Sequence, residues 1–280
     1  MSAATKTAQR PPATRIALTS GKGGVGKTSL TVNLAVAMAR LGHRVGVLDA
    51  DFALGNIDVA LGLAPQDHLG AVLDGTKRIR EIAIEGPSGI RIIPAGSGVR
   101  SLTQLDDEKW TKLTEALDDL GRDLDFLLMD TATGVSDSVI DVLGLADYVL
   151  VVTSFEPAAV VDAYAVIKLL TAGDATKPVG VVVNSARDAD EGGLVFRQIS
   201  LAADRFLNRT LRYDGHVLED RAVRDSGLAQ IPVVGQDTAG PADRCIRRLA
   251  CRLTAARPSG VGPWPARPET FAAQETPRCA

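Results

Sequence analysis

Residues Gly21 to Thr28, with the sequence GKGGVGKT, are the feature that most constrains the fold of this chain. They fit the pattern G-x-x-x-x-G-K-[S/T] and lie between a short apolar run, Arg15 to Thr19, and a helical pattern that runs from Leu30 and stops at Gly42. Glycines in such a turn let consecutive backbone N–H groups face one anion, and the N-terminus of the helix adds its dipole. The segment therefore predicts a strand, a phosphate-binding loop and a helix.

The loop also predicts a ligand, a nucleoside triphosphate with Mg²⁺. In such a loop the lysine, here Lys27, bridges the β- and γ-phosphates, and the following hydroxyl, of Thr28, holds Mg²⁺. A second lysine, Lys22, lies outside the position that the pattern demands, and spacing alone does not distinguish a functional lysine from a solvated surface charge. The expected nucleotide contacts come from Gly21, Lys22, Gly23, Gly24, Val25, Gly26, Lys27, Thr28 and Ser29.

Apolar runs alternate with helical patterns along the rest of the chain. Continuous apolar runs are expected for strands that are buried on both faces. Strand, helix and strand in succession imply parallel strands with right-handed crossovers. The expected fold is α/β, a doubly wound and mostly parallel sheet in a single domain. Predicted strands are Val45–Leu48, Ile90–Ile93, Asp125–Met129, Tyr148–Val152 and Val179–Val183, and predicted helices are Asp106–Leu120, Ala158–Leu170 and Leu194–Phe206.

The two ends of the chain differ from the middle. Residues 1–13 and 257–280 are rich in Pro, Ala, Thr and Gly and lack periodicity, so we expect both to be flexible and to flank a P-loop domain at residues 14–256. The N-terminus has no hydrophobic signal region, and no apolar run approaches the roughly 20 residues that cross a bilayer. Three scattered cysteines fit a reducing compartment. The expected location is the cytoplasm.

Polar residues follow the apolar runs where ligands bind in such sheets, at the carboxyl ends of parallel strands. Asp49 and Asp51 end one strand, and a carboxylate there orients a water or ligates Mg²⁺. Asp130 ends another and suits a Mg²⁺-bound water, so the expected metal ligands are Thr28, Asp49 and Asp130. Asn184 ends a third strand. Turn or capping roles remain the alternative for Asp49, Asp51 and Asn184. The three histidines are scattered and predict no metal site.

The sequence from Lys22 to Thr28 resembles the deviant Walker A loop of the MinD/ParA ATPases. The resemblance implies an ATPase that dimerises when it binds ATP, with Lys22 reaching the phosphates of the partner subunit. It also implies that Lys22, Lys27 and Asp51 are the catalytic residues, Asp51 being needed for hydrolysis. Gly134 would contact the γ-phosphate from a mobile loop, and Asn184 would read the adenine edge through its amide.

Within this family, three stretches are most similar to the flagellar-number regulators FlhG and FleN. They are Leu69–Gly75, Gly89–Gly98 and Glu156–Lys168. This branch implies control of the number or placement of flagella, through a partner GTPase and flagellar or transcriptional proteins. The N-terminal segment Thr5 to Arg10 does not clearly match the motif with which that branch stimulates its GTPase.

Other functions of the family remain as alternatives. Division-site positioning, as in MinD, and DNA or cargo partition, as in ParA, use the same ATP switch, although a formal net charge of −3 argues against a strongly basic DNA binder. Iron–sulfur cluster transfer needs a C-x-x-C pair, which the sequence lacks.

A helix over Pro241 to Thr254 has a basic side, and we expect it to pack on the sheet; the alternative is a peripheral contact with the inner face of the cell membrane.

Overall fold

The computed structural model describes residues 11–96, 105–236 and 240–255, and within them an eight-stranded sheet forms the centre of the molecule. The strand order is β3-β4-β2-β5-β1-β6-β7-β8. All neighbouring strands are parallel except β3, which is antiparallel to β4. The strands are β1 (Thr14–Ser20), β2 (Val45–Ala50), β3 (Ile84–Glu85), β4 (Arg91–Ile93), β5 (Phe126–Thr133), β6 (Tyr148–Thr153), β7 (Val179–Ala186) and β8 (Arg212–Leu218).

Ten α-helices occur in the described part of the chain. They are α1 (Lys27–Arg40), α2 (Ile57–Ala60), α3 (Leu69–Leu73), α4 (Ile79–Ile82), α5 (Asp107–Gly121), α6 (Asp137–Leu145), α7 (Pro157–Gly173), α8 (Ala189–Leu207), α9 (Arg221–Leu228) and α10 (Pro241–Ala255). A short 3₁₀ turn covers Pro87–Gly89. Four of the longer helices begin at an aspartate or glutamate, as negative charge favours a helix N-terminus; these residues are Asp106, Glu156, Asp188 and Asp220.

Both faces of the sheet are buried, because successive side chains of a strand point to opposite faces. In β1, Ala17 belongs to the core that α5 to α8 cover, whereas Ile16 and Leu18 belong to the core that α1 and α10 cover. β5 divides in the same way between Leu127 and Leu128. Each central strand therefore reads as a continuous apolar run, and the predicted doubly wound α/β fold is confirmed.

The phosphate loop lies where the chain reverses its direction across the sheet. From β1 the chain moves through α1 to β2 on one side, and from β5 it crosses β1 to reach β6 on the other. Ligands in open α/β sheets bind at such a switch point, outside the carboxyl ends of the strands. The fold therefore places the loop after β1 beside the ends of β2 and β5.

The predicted elements agree with the structure to within a few residues, with two kinds of difference. α8 begins five residues before its predicted start, because Asp188 accepts a hydrogen bond from the Glu191 N–H and caps the helix there. The sequence patterns did not predict two strands, β3 and β8, and five helices, α2, α3, α4, α6 and α9. The proposed flexible segments, residues 1–13 and 257–280, lie largely outside the described residues and stay a prediction, although Ala13 is buried.

Helix α10 packs on the sheet, as predicted for Pro241 to Thr254. Its apolar side chains are buried against α1 and β8, among them Ile246, Leu249 and Leu253. Its arginines lie on the outer side. Across the described ranges, no helix combines the length and the apolar character needed to span a membrane.

Candidate functional site

The loop between β1 and α1 has the backbone geometry that its glycines predict. Gly24 and Gly26 have φ values of 80° and 84°, in the left-handed region that favours glycine. Gly26 precedes the first residue of α1, and its carbonyl accepts the first helical hydrogen bond, from the Leu30 N–H at 2.9 Å. The loop therefore presents its N–H groups at the N-terminus of a 14-residue helix, an arrangement that binds anions.

Asp130 is the centre of a hydrogen-bonded cluster beneath this loop. Its Oδ1 accepts from the Lys27 Nζ at 2.8 Å and from the Thr31 hydroxyl at 2.8 Å, and its Oδ2 accepts from the Thr28 hydroxyl at 2.6 Å. Lys27 and Asp130 are both buried. A buried charge is costly unless it is paired and hydrogen-bonded, so Asp130 compensates the positive charge of Lys27.

Asp49 lies beside this cluster, since it is the register partner of Asp130 across β2 and β5. Its two oxygens accept hydrogen bonds from the backbone N–H groups of Asp51, at 3.2 Å, and Ile57, at 3.1 Å. Burial, opposed by these backbone hydrogen bonds and assisted by the negative charge of Asp130, raises the pKa of Asp49 to about 7. Asp51 is half-buried, and its Oδ1 accepts from the Leu54 N–H at 3.0 Å.

The raised pKa of Asp49 predicts how the stability of the nucleotide-free protein depends on pH. The unfolded carboxyl ionises near 3.8, whereas the folded one keeps its proton up to about pH 7. Stability should therefore fall as the pH rises between these two values and stay lower above them, by up to about 4 kcal/mol at 1.36 kcal/mol per unit of pKa. Urea unfolding without Mg²⁺, at about pH 4 and about pH 8, measures this.

The variant Asp49→Asn provides the comparison, because it cannot ionise. Its free energy of unfolding should rise relative to that of the wild type as the pH increases, whatever fixed difference the amide itself introduces. Parallel pH profiles for the two proteins would contradict the prediction.

Asn184 connects the loop to the end of β7. Its Nδ2 donates to the Val25 carbonyl at 2.7 Å, which uses one of the two N–H groups of the amide. Asn184 also lines a cavity of about 450 Å³ beside the loop, together with Ser185, Val217, Leu218, Glu219, Asp220, Arg221, Val223 and Arg224. A space of this size, next to a phosphate loop, fits the base and sugar of a nucleotide.

The contact between Gly26 and Asn184 predicts a strong effect of a single methyl group. A Cβ at position 26 would lie 2.3 Å from the Asn184 Nδ2, so Gly26→Ala should break the bond to Val25 and shift the loop. We expect a loss of nucleotide affinity of about tenfold or more, since about 1.4 kcal/mol corresponds to tenfold. Titration with a fluorescent ATP analogue measures it.

Gly42→Ala is the matched control for this substitution. Gly42 has a φ of 91°, close to that of Gly26, but a Cβ there meets no atom within 4 Å. The control therefore carries the backbone strain of roughly 1–2 kcal/mol without the collision, and its nucleotide affinity should be that of the wild type. Equal losses in both variants would show that strain, and not Asn184, governs the loop.

Two further contacts hold residues for which the sequence predicted a role in ATP binding. The Lys22 Nζ forms an ion pair with Glu156, the residue before α7. The Lys22 side chain is 36% exposed and the Glu156 side chain is 52% exposed. The backbone N–H of Gly134 donates to the Ser20 carbonyl at 2.9 Å, so it is engaged with the end of β1 here. Both contacts tie the loop region to neighbouring segments without involving buried charge.

The predicted site residues therefore fall into one connected set and two outer groups. Lys27, Thr28 and Asp130 contact one another, and Asp49 and Asp51 adjoin them through β2. Lys22 and Asn184 lie on other sides of the loop. The sequence reasoning missed Thr31 and Glu156. Thr31 follows Lys27 by four residues and so shares its helix face, which is a usable signal; Glu156 is distant in sequence and gave none.

A family model described as an AAA domain matches residues 13–173. The chain is 43% identical to the antiactivator FleN of Pseudomonas aeruginosa over 213 residues, which cover 76% of each chain. It is 32% identical to the flagellum site-determining protein YlxH of Helicobacter pylori, with 72% of this chain and 68% of that protein covered.

A solved structure shares the fold. MinD in the MinC:MinD cell division protein complex of Aquifex aeolicus aligns with a TM-score of 0.71 and 29% identity, covering 90% of this chain and 99% of that one. The motif, the sheet topology and these relatives lead to the same assignment. The chain belongs to the MinD/ParA family of P-loop ATPases and, within it, is similar to FleN.

Proposed function

We propose that this protein is an ATP-dependent dimerising switch that regulates the number or placement of flagella. The observation that carries the proposal is the cluster of Lys27, Thr28 and Asp130 under a phosphate loop that also exposes a second lysine, Lys22. This arrangement, in a chain 43% identical to the antiactivator FleN, supports ATP as the signal and flagella as the target.

The loop would bind the phosphates of ATP through its N–H groups and through Lys27. In the absence of phosphate, the charge of Lys27 is compensated by Asp130; a triphosphate supplies a second anionic partner. Thr28, Asp49 and Asp130 offer the hard oxygen ligands that suit Mg²⁺, directly or through water. Bound Mg²⁺ would neutralise charge on the β- and γ-phosphates. Within the described residues, no three His, Cys, Asp or Glu side chains form a group that could hold a metal ion.

Three other residues take the roles that the family suggests. Lys22 would reach the phosphates bound by a second copy, and leaving Glu156 costs little because exposed ion pairs contribute about 0–1 kcal/mol. Asp51, at the end of β2, would orient the attacking water. Gly134 would exchange its bond with Ser20 for the γ-phosphate, which links the segment after β5 to the nucleotide state.

The base would occupy the cavity beside Asn184. The amide of Asn184 keeps a carbonyl oxygen and a second N–H when its first N–H is bound to Val25. These two groups suffice to pair with one edge of adenine, which needs a donor and an acceptor together.

The flagellar role rests on the similarity of the chain to two relatives, the antiactivator FleN and the flagellum site-determining protein YlxH. Partners of this switch would be a flagellar GTPase and flagellar or transcriptional proteins, and its place the cytoplasm, with a peripheral membrane contact as the alternative. Division-site positioning is the second candidate function, because the MinC:MinD complex has the same fold at 29% identity. DNA or cargo partition, as in ParA, is the third.

The test is microscopy of a strain that lacks this protein, in which flagella are counted and cell length and DNA content are measured. We expect a changed number or position of flagella with normal division. Complementation with the wild type should restore the count, and complementation with Lys27→Ala should not. Normal flagella together with minicells would contradict the flagellar role and favour division-site positioning, whereas anucleate cells would favour partition.

A further inference from the structure

A second cavity, of about 570 Å³, lies between β8 and α10. Tyr213, Gly215 and His216 line it from β8, and three arginines and Cys251 line it from α10. It shares no lining residue with the cavity beside Asn184 and includes no residue of the phosphate loop. Nothing in the ATP switch uses it.

Strand β8 has an irregular backbone at this cavity, where the side chain of Arg252 lies against it. The pairing of β8 with β7 shifts register between Tyr213 and Gly215, and Gly215 has a φ of 117°. A Cβ on Gly215 would lie 2.5 Å from the Nη2 of Arg252, so only the absence of a side chain lets the guanidinium lie over the strand. Bulges of this kind re-aim groups at the edges of sheets.

The cavity holds more positive than negative charge. Arg247 is paired with the buried Asp243, both carboxylate oxygens lying 2.9 Å from its Nε. Arg248 and Arg252, in contrast, form no ion pair with any carboxylate in residues 11–96, 105–236 and 240–255. Two guanidinium groups are therefore left to bind an anion.

His216 is affected by this excess of charge. Burial lowers its pKa, and the charges of Arg252 and Arg248 lower it further, while Asp188 at the start of α8 acts in the opposite direction. Its Nδ1 lies 3.1 Å from the Tyr213 hydroxyl, and Tyr213 is itself stacked on Phe196 at 4.8 Å between ring centroids. The imidazole and phenol are thus held in fixed positions beside the arginines.

The shape and lining of the cavity favour one class of ligand. Planar guanidinium groups suit the oxygens of phosphate. The cavity falls within the roughly 300–1,000 Å³ of small-molecule sites, and the Tyr213 ring and the arginine stems give it walls for the body of a molecule. Every large apolar residue of α10 is buried, so the helix offers nothing to insert into a bilayer.

We propose that Arg248 and Arg252, in the cavity between β8 and α10, bind the phosphate group of a small phosphorylated molecule. The site is separate from the ATP site, so it gives the switch a second ligand. Its test uses Cys251, which lines the cavity and is exposed, whereas Cys245 is buried.

The experiment measures the rate at which iodoacetamide, a neutral reagent, alkylates Cys251, read on the corresponding peptide by mass spectrometry. The probes are glucose 6-phosphate and AMP, with glucose and adenosine as uncharged controls at equal ionic strength. We expect saturable protection of Cys251 by the two phosphate esters only. The full-length Lys27→Ala variant should show the same protection, which separates this site from the ATP site.

Variants identify the groups that bind. Arg248→Gln and Arg252→Gln should each raise the half-protecting concentration about tenfold or more, as expected for loss of a charge-assisted hydrogen bond. Arg244→Gln is the matched control, because Arg244 is exposed on the same helix and does not line the cavity; it should bind as the wild type does. ATPase activity should be unchanged in all three. A second measurement, the rise of the thermal unfolding midpoint with glucose 6-phosphate, should follow the same order.

Two results would overturn the proposal. The first is equal rates of alkylation and equal unfolding midpoints with the phosphate esters and their uncharged controls. The second is protection by duplex DNA or by phosphatidylglycerol vesicles but not by either ester, which would make this surface a binding face for a polyanion.

Discussion

Lys22→Gln is expected to abolish the dimer that forms with Mg-ATP while leaving ATP binding nearly intact. In the single chain Lys22 pairs with Glu156 in an exposed ion pair, so the substitution should cost less than about 1 kcal/mol of folding stability. In a dimer the lysine would face phosphates away from water. Removing one partner of such a pair costs about 2–5 kcal/mol, or about 30-fold or more in dimer affinity.

Light scattering measures this effect directly. The wild type should change from 29.4 kDa towards twice that mass when Mg-ATP is added, and Lys22→Gln should not. Lys112→Gln is the matched control, because Lys112 also lies in an exposed ion pair, with Glu108 on α5, far from the loop in sequence. A Lys22→Gln protein that dimerises as the wild type does would remove the proposed role of this lysine.

Light scattering of Asp51→Ala with Mg-ATP tests whether the dimer persists when hydrolysis is removed. If Asp51 orients the attacking water, its loss should stop hydrolysis and leave the dimer in place for as long as ATP is present. Among the described residues, the Asp51 carboxylate accepts one hydrogen bond, from the Leu54 N–H, so the loop should keep its shape. A wild type and an Asp51→Ala variant that both stay monomeric with Mg-ATP would contradict the dimerising switch itself.

The fold was predictable because its signals are local. β5 and β6 are apolar without interruption, and a strand covered on both faces has to be so. β8 was not predicted, because its sequence has no such continuous apolar run. It lies at the edge of the sheet and contains Asp214, Gly215 and His216. Its buried Asp214 accepts a hydrogen bond from the Tyr148 hydroxyl of β6, which is remote in sequence.

Residues of the candidate site were predictable where a short sequence pattern identifies them. The loop from Gly21 to Thr28 fits the phosphate-loop pattern, and Asp130 could be recognised at the end of an apolar run. The partners were not predictable. That Glu156 holds Lys22, and that Asn184 holds the loop carbonyl of Val25, depends on segments more than a hundred residues apart meeting at one end of the sheet. The cavity between β8 and α10 was not predictable either, because β8 itself was not predicted.

Asp130→Ala should have the largest effect on stability, because it leaves the Lys27 ammonium buried without a counter-charge. Removing one partner of a buried ion pair costs about 3–5 kcal/mol, and here Thr28 and Thr31 lose their acceptor as well. Guanidinium unfolding of the nucleotide-free protein measures the loss, which is a large part of the 5–15 kcal/mol that stabilises a typical domain.

The double variant Lys27→Met, Asp130→Ala decides whether the uncompensated charge is the cause. Replacing both members of a buried pair is often nearly neutral, so the double variant should be more stable than Asp130→Ala alone, and the coupling should exceed about 1 kcal/mol. Additive losses would mean that the hydroxyl bonds of Thr28 and Thr31 dominate. With the expected coupling, the carboxylate of Asp130 explains how the loop keeps the ammonium of Lys27 buried in the nucleotide-free protein: the pair adds little net stability, but either charge alone would be costly.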